Sequence, residues 1–311
     1  MTLMSQIGQG FLRIGRKFSE FGQRINEPHC PGRITVNGRV ITDLVPLGGY
    51  RQPGITKAGR VSFSGLFEGK RAKVYSAYSA GHAELRVSLE STDLGQQFFP
   101  RIIASDETHV VEEWIDGLPL NKLDSSSFER AGDEIERFLS ECQNSKELIQ
   151  VAAHHGGAFC YFQDYLIKRL EPWRVLDFVQ EFILSWQDAY EEVKDDIELR
   201  LSHPDLSEVN ILMEKQTRRI IVIDNELLGV GRGWVLDRRN SFLKDFSEDT
   251  KAHSNREIEK GFLNQSWRLR LTGSALDASD FERAYTIATN SDFPELGDET
   301  CKGAWSRSTQ P

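Results

Sequence analysis

Apolar and polar positions alternate in short runs through the first third of the chain. Arg60 to Phe67 and Arg71 to Ala77 flank Glu68-Gly69-Lys70, which predicts a β-hairpin. Arg39 to Pro46 reads as an earlier strand. Phe99 to Ala104, a turn at Ser105 to Thr108, and His109 to Ile115 read as strand, turn, strand, closed by Asp116-Gly117. Between these strands, Gly81 to Thr92 carries a helical pattern. Beyond Leu118 the chain turns helical: Ser125-Ser126-Ser127 opens a helix whose apolar stripe holds Ile135, Phe138 and Leu139. Phe162 to Leu170, Val175 to Leu201 and Asp280 to Thr289 give further helical patterns, and a flexible end is expected after Asp298. His154-His155-Gly156-Gly157 reads as a capped helix start rather than a metal site, because no second ligand pair accompanies it.

The first residues have their own period. Ile7, Phe11, Ile14, Phe18, Phe21 and Ile25 recur at steps of four and three, with Arg13, Arg16, Lys17 and Arg24 elsewhere around the helix. Such a basic amphipathic helix either packs on its own protein or a partner, or lies in a membrane interface. Gly8, Gly10, Gly15 and Gly22 weaken it in isolation, each by about 1 kcal/mol relative to Ala.

The chemistry concentrates between His203 and Asp224. His203-Pro204-Asp205-Leu206-Ser207-Glu208-Val209-Asn210 precedes Ile211-Leu212-Met213, a polar stretch from Glu214 to Arg218, and the run Arg219 to Ile223 that ends on Asp224. The two apolar runs predict a hairpin, which sets Asn210 and Asp224 side by side at one end. Phosphoryl transfer needs a carboxylate to orient and deprotonate the attacking hydroxyl, and oxygen ligands to hold Mg²⁺ against the phosphates. Asp205 suits the first task. Asn210 and Asp224 suit the second, since a hard cation takes carboxylate and amide oxygens.

His203, Asp205 and Asn210 match H-x-D-x-x-x-x-N, and on these residues the chain resembles the protein-kinase-like superfamily. Asp224 resembles the metal-binding Asp that comes after that loop. Asn225-Glu226 replaces the usual Phe-Gly, so the nearest branch looks like the aminoglycoside and choline phosphotransferases or the lipopolysaccharide-core sugar kinases; Gly229, Gly231 and Asp237 are similar to further positions of those branches. The resemblance spans about residues 40 to 240 and implies an α+β, bilobal kinase-like fold. Its divisions would be an amphipathic segment (1–28), a sheet lobe that binds nucleotide (29–116) and a mainly helical lobe with the catalytic loop, metal and acceptor sites (117–311).

The same resemblance implies roles. Lys73, or else Lys70, would meet the α and β phosphates; Glu84, or else Glu90, would pair with that lysine. Glu113, Trp114 and Ile115 would contact adenine, Gly48 and Gly49 would belong to a phosphate-cradling loop without a clean G-x-G-x-x-G, and His203 would brace the catalytic loop. ATP and Mg²⁺ are the implied cofactors, with a hydroxyl of a small molecule or carbohydrate, including a lipopolysaccharide-core sugar, as acceptor. Ser207 stands where protein Ser/Thr kinases carry a Lys, and no Ala-Pro-Glu follows Asp224. A protein kinase or a catalytically silent binding module are the alternative readings.

Composition agrees without adding detail. The 311 residues are 39% hydrophobic and 27% charged, ordinary for a soluble globular protein, and a net charge of -9 argues against an extended nucleic-acid footprint. Cys30, Cys142, Cys160 and Cys301 form no C-x-x-C, which suggests a reducing compartment. With no apolar run long enough to span a membrane and no secretory block at the start, the expected location is cytoplasmic, with peripheral membrane contact through residues 7–25 as the variant. The acidic cluster Glu191, Glu192, Asp195 and Asp196 reads as a solvated helix face.

Overall fold

The computed structural model describes residues 31–47, 62–155, 165–195, 199–203, 206–232 and 257–290. Its first part is a six-stranded antiparallel sheet. Strands β1 (Arg33–Val36), β2 (Arg39–Pro46), β3 (Ser62–Phe67), β4 (Lys70–Ser76), β5 (Ile102–Ser105) and β6 (His109–Glu113) run in the order β1-β2-β3-β4-β6-β5. Two tight turns set the registers. Asn37 (φ 46°) and Gly38 (φ 76°) join β1 to β2, and Glu68 (φ 49°) and Gly69 (φ 76°) join β3 to β4, both left-handed pairs whose twist suits a hairpin. One face of the sheet buries Val36, Ile41, Phe63, Ala72, Val74 and Val111 together.

Between β4 and β5 lie helices α1 (Ala80–Glu90) and α2 (Asp93–Phe98). Each begins on a hydroxyl cap: Ser79 accepts from the His82 N–H, Thr92 from the Gly95 N–H. Leu85, Leu89, Leu94 and Phe98 on these helices join the core of the second half, so α1 and α2 seat the sheet on the helical part of the chain.

After Glu113 the chain crosses over through β7 (Gly117–Pro119), which pairs with β9 (Ile211–Glu214), itself paired with β10 (Ile220–Val222). A separate ladder joins β8 (Leu199–Ser202) to β11 (Gly229–Arg232). Helices α3 (Ser125–Asn144) and α4 (Lys146–His154) pack on these strands, with Ile135, Phe138, Leu148, Leu201, Ile211 and Val222 in one cluster. Helices α5 (Asp177–Val193), α6 (Glu257–Asp277) and α7 (Phe281–Thr289) form another around Trp186, Phe262, Trp267, Leu276 and Ile287, where the Trp186 indole N–H donates to Ser266 Oγ at 2.8 Å. An antiparallel-sheet lobe followed by a helical region is the α+β arrangement expected.

Two expectations need correction. Leu199 to Leu201 belong to a strand rather than to the preceding helix, because the pairing of β8 with β11 claims their backbone and buries Leu201. His154 ends helix α4 instead of opening one, and the His155 ring bonds Ser88 Oγ at 3.0 Å. Among the described residues no cluster of three or more His, Cys, Asp and Glu side chains could hold a metal ion, and no helix is long and apolar enough to cross a membrane. The amphipathic pattern at residues 7–25, the Gly48-Gly49 loop and Asp237 lie outside the described residues.

Candidate active site

Strand β4 alternates as a strand between two environments must. Ala72 and Val74 enter the sheet's apolar core, so Arg71, Lys73 and Tyr75 share the opposite face. There Lys73 Nζ lies 2.9 Å from Asp224 Oδ1 and 2.9 Å from Glu226 Oε1, two carboxylates more than 150 residues later in the chain. Glu226 also accepts the Ser62 hydroxyl at 2.7 Å.

The Lys73 side chain is only 16% exposed. Burial by itself lowers its pKa, but the carboxylates of Asp224, Glu226 and Glu112 together outweigh burial and raise it well above the usual value. The ammonium is therefore a fixed charge. Burial pushes the Glu226 carboxyl up, as does the neighbouring Asp224, while Lys73 and Ser62 pull it back down.

Local structure explains how Asp224 reaches Lys73. Hairpin β9–β10 extends by one bond from the Ile223 N–H to the Asn210 carbonyl at 2.8 Å, which brings Asn210 and Asp224 to the same end, as their spacing predicts. Asp224 then adopts φ 62°, a left-handed conformation that Asp tolerates better than most residues. The chain turns there into a 3₁₀ turn at Asn225–Leu227, and Asn225, fully buried, donates from Nδ2 to the Val222 carbonyl at 3.2 Å. The sharp bend puts Asp224 and Glu226 two residues apart on one cation.

His203 is also fully buried, and its Nε2 lies 3.2 Å from the Ile223 carbonyl. It thus ties the start of the H-x-D loop to the residue before Asp224. The Leu206 N–H donates to the His203 carbonyl at 3.1 Å and the Asn210 N–H to the Ser207 carbonyl at 2.9 Å. Pro204 and Asp205 lie between these anchors, outside the described residues.

Other expected positions divide. Glu84 is exposed on α1, and among the described residues the carboxylates that touch Lys73 are those of Asp224 and Glu226. Glu90 instead accepts the Ile102 N–H at 2.9 Å. The face of α1 that meets the sheet offers Arg86, a buried cation bonded to Glu112 and to the Tyr75 hydroxyl. Glu112 stands directly across from Lys73 in the β4–β6 register, so the helix contributes positive rather than negative charge beside that lysine. Lys70 begins β4 as an exposed residue.

At the crossover, the Trp114 N–H donates to the Arg71 carbonyl at 3.3 Å, and the Arg71 guanidinium lies 3.8 Å over the Trp114 ring. Glu113 turns its carboxylate to the Arg101 N–H at 3.1 Å, and Ile115 is half-buried. Behind this segment opens a cavity of about 450 Å³ lined by Glu90, Phe99, Arg101, Glu113 and Arg219; Lys73 and Asp224 are not among its walls.

Glu226, Glu112, Arg86 and His82 escaped sequence reasoning. For Glu226 the signal was present, a second carboxylate two residues after Asp224. The donor set of Asn210, Asp224 and Glu226 suits a magnesium ion: it is all oxygen, it carries two negative charges, and its carboxylates already converge on one cation, the Lys73 ammonium.

No protein-family model matches this chain, and no curated protein does. Among solved structures it is similar to aminoglycoside phosphotransferase APH(4)-Ia at 15% identity and a TM-score of 0.43, with 80% of this chain and 91% of that chain covered. Ethanolamine kinase from Plasmodium vivax is similar at 11% identity and a TM-score of 0.44, covering 91% of this chain and 88% of that chain. Spectinomycin phosphotransferase APH(9)-Ia gives 11% identity and a TM-score of 0.39, with 81% and 94% covered. Overlap at that level assigns no chemistry, and the functional reading rests on the chain's own residues.

Proposed function

We propose that the protein is an ATP- and Mg²⁺-dependent phosphotransferase that moves the γ-phosphoryl group to a hydroxyl of a small molecule or carbohydrate. The observation that carries this reading is the meeting of Lys73, held on the sheet, with Asp224 and Glu226, held at the end of the β9–β10 hairpin. A cation for phosphate oxygens and carboxylates for a metal ion are the charges phosphoryl transfer uses, and this arrangement supplies both at one place. Bound magnesium would neutralise charge on the phosphates and so favour departure of the ADP oxygen.

The chain's own residues then have distinct tasks. Lys73 exchanges part of its carboxylate partnership for the α and β phosphate oxygens. Asn210 and Asp224, joined by Glu226, hold the metal through oxygen. Asp205 orients the acceptor hydroxyl and takes its proton as the new P–O bond forms and the bond to the leaving ADP oxygen breaks. His203, bonded to the Ile223 carbonyl, keeps the loop and the metal ligand in register. The segment from Glu113 to Ile115 would meet the adenine edge through backbone groups other than the Glu113 and Trp114 N–H, which donate to the Arg101 and Arg71 carbonyls, and Gly48 and Gly49 would supply N–H groups to the phosphates.

The test is ATP consumption against aminoglycosides, choline-like amines, simple sugars and lipopolysaccharide-core acceptors, with Asp205→Asn as control. Turnover with at least one acceptor is expected, abolished in Asp205→Asn while that variant still binds nucleotide. Full turnover in Asp205→Asn removes Asp205 from the mechanism. A parent chain that binds ATP equally well with and without Mg²⁺ and turns over none of the acceptors is a silent binding module.

A further inference from the structure

We infer that His82 is a positioning residue, tying helix α1 to the acidic segment that carries Asp224 and Glu226; the role rests on the phosphotransferase reading above. His82 is fully buried, and both ring nitrogens are engaged. The Tyr78 N–H lies 3.1 Å from Nδ1 and can only donate, so Nδ1 is the acceptor of the ring. The proton of the neutral imidazole therefore sits on Nε2, which donates to the Leu228 carbonyl at 2.8 Å. Leu228 closes the 3₁₀ turn that Asp224 opens and Glu226 occupies.

One helical turn further along the same face, Arg86 grips the sheet. Its guanidinium donates to the Tyr75 hydroxyl at 3.1 Å and to Glu112, the residues two along the strand and directly across the sheet from Lys73. Positions four apart share one helix face, so α1 holds the sheet through Arg86 and the acidic segment through His82. Lys73 stands on the first and its carboxylates on the second. The helix thereby sets the distance between cation and metal ligands without offering a carboxylate of its own, which is why Glu84 can face solvent.

Isothermal titration of the full chain with ATP, in excess Mg²⁺ and in a chelator, separates this role from simple core filling. In His82→Leu the acidic segment loses its tether, and affinity for Mg²⁺-ATP should fall about tenfold, the worth of one well-made buried hydrogen bond. Metal-free ATP binding should stay within about twofold, since Lys73 keeps its place on the sheet. His82→Gln, whose amide can still donate toward Leu228, should recover most of the loss. His82→Asn is too short to reach that carbonyl and serves as the deletion if His82→Leu does not fold. Equal losses with and without metal, or equal losses in the Gln and deletion variants, overturn the role. Metal-independent ATP binding in the parent chain overturns the metal-site reading, and this role with it, before any variant is measured.

Discussion

Lys73 shows how one residue can be fixed by opposing effects. Burial works against its charge, yet three carboxylates hold the proton more firmly than burial can expel it. Its ammonium is charged across the whole physiological range. Lys73→Ala should lower turnover about a hundredfold to a thousandfold, the usual loss when a preorganised donor to a reacting group is removed. Steady-state kinetics with the acceptor found in the screen would measure it, and a loss under about tenfold would take Lys73 out of the site. The same substitution leaves Asp224 and Glu226 as neighbouring like charges, so the Glu226 carboxyl should rise further.

Among the helices, two features can be tested by unfolding. Helix α2 packs so tightly on the end of α1 that a Cβ at Gly95 would fall 1.7 Å from the Leu89 carbonyl oxygen, a contact that backbone must move to relieve. Gly95→Ala should cost about 1–3 kcal/mol or more by overpacking, and a denaturant midpoint equal to the parent's would contradict the packing. Helix α3 begins on Asp124, whose pKa is held at about 2, first by the Ser127 N–H and then by the hydroxyls of Ser126 and Ser127. The unfolded carboxyl titrates at about 3.9. The folded value is the lower one, so the stability this cap contributes is present above the unfolded pKa and lost as pH falls through about 2. Asp124→Asn keeps a capping oxygen but should flatten that stretch of the acid-unfolding curve; an unchanged slope would show that the cap does not titrate as described.

For the molecule as a whole, the site joins two parts of the chain that no local contact connects. Lys73 and Ser62 belong to the sheet, and Asp224 and Glu226 to a segment beyond the central helices. A ligand that bridges them stabilises the folded state by mass action, roughly 2.7 kcal/mol at a hundredfold excess over its dissociation constant. Thermal unfolding should therefore shift upward with Mg²⁺-ATP in the parent and much less in Asp224→Ala. An equal shift in both would mean that the nucleotide binds elsewhere.

The local elements were legible because their causes are local. Glu68-Gly69 between alternating runs specified the β3–β4 hairpin, and the two apolar runs around Glu214 to Arg218 specified the one that brings Asn210 beside Asp224. Strand β1 could have been read from Asn37-Gly38, a left-handed turn signal just ahead of β2. Strand β8 could not: Leu199 to Leu201 continue a helical period, and only pairing with β11 makes them extended. The order of residues alone thus specified the hairpins, most helices and the placing of Asn210 and Asp224 at one hairpin end, since periodicity and turn signals act within a few residues. Folding in three dimensions was needed to pair Lys73 with Asp224 and Glu226 rather than Glu84, and to turn His82 and Arg86 of α1 inward. Those choices depend on which surfaces meet when the sheet is seated on the helical region, and a Coulomb or hydrogen-bond partner is chosen by distance in space, which separation along a chain does not encode.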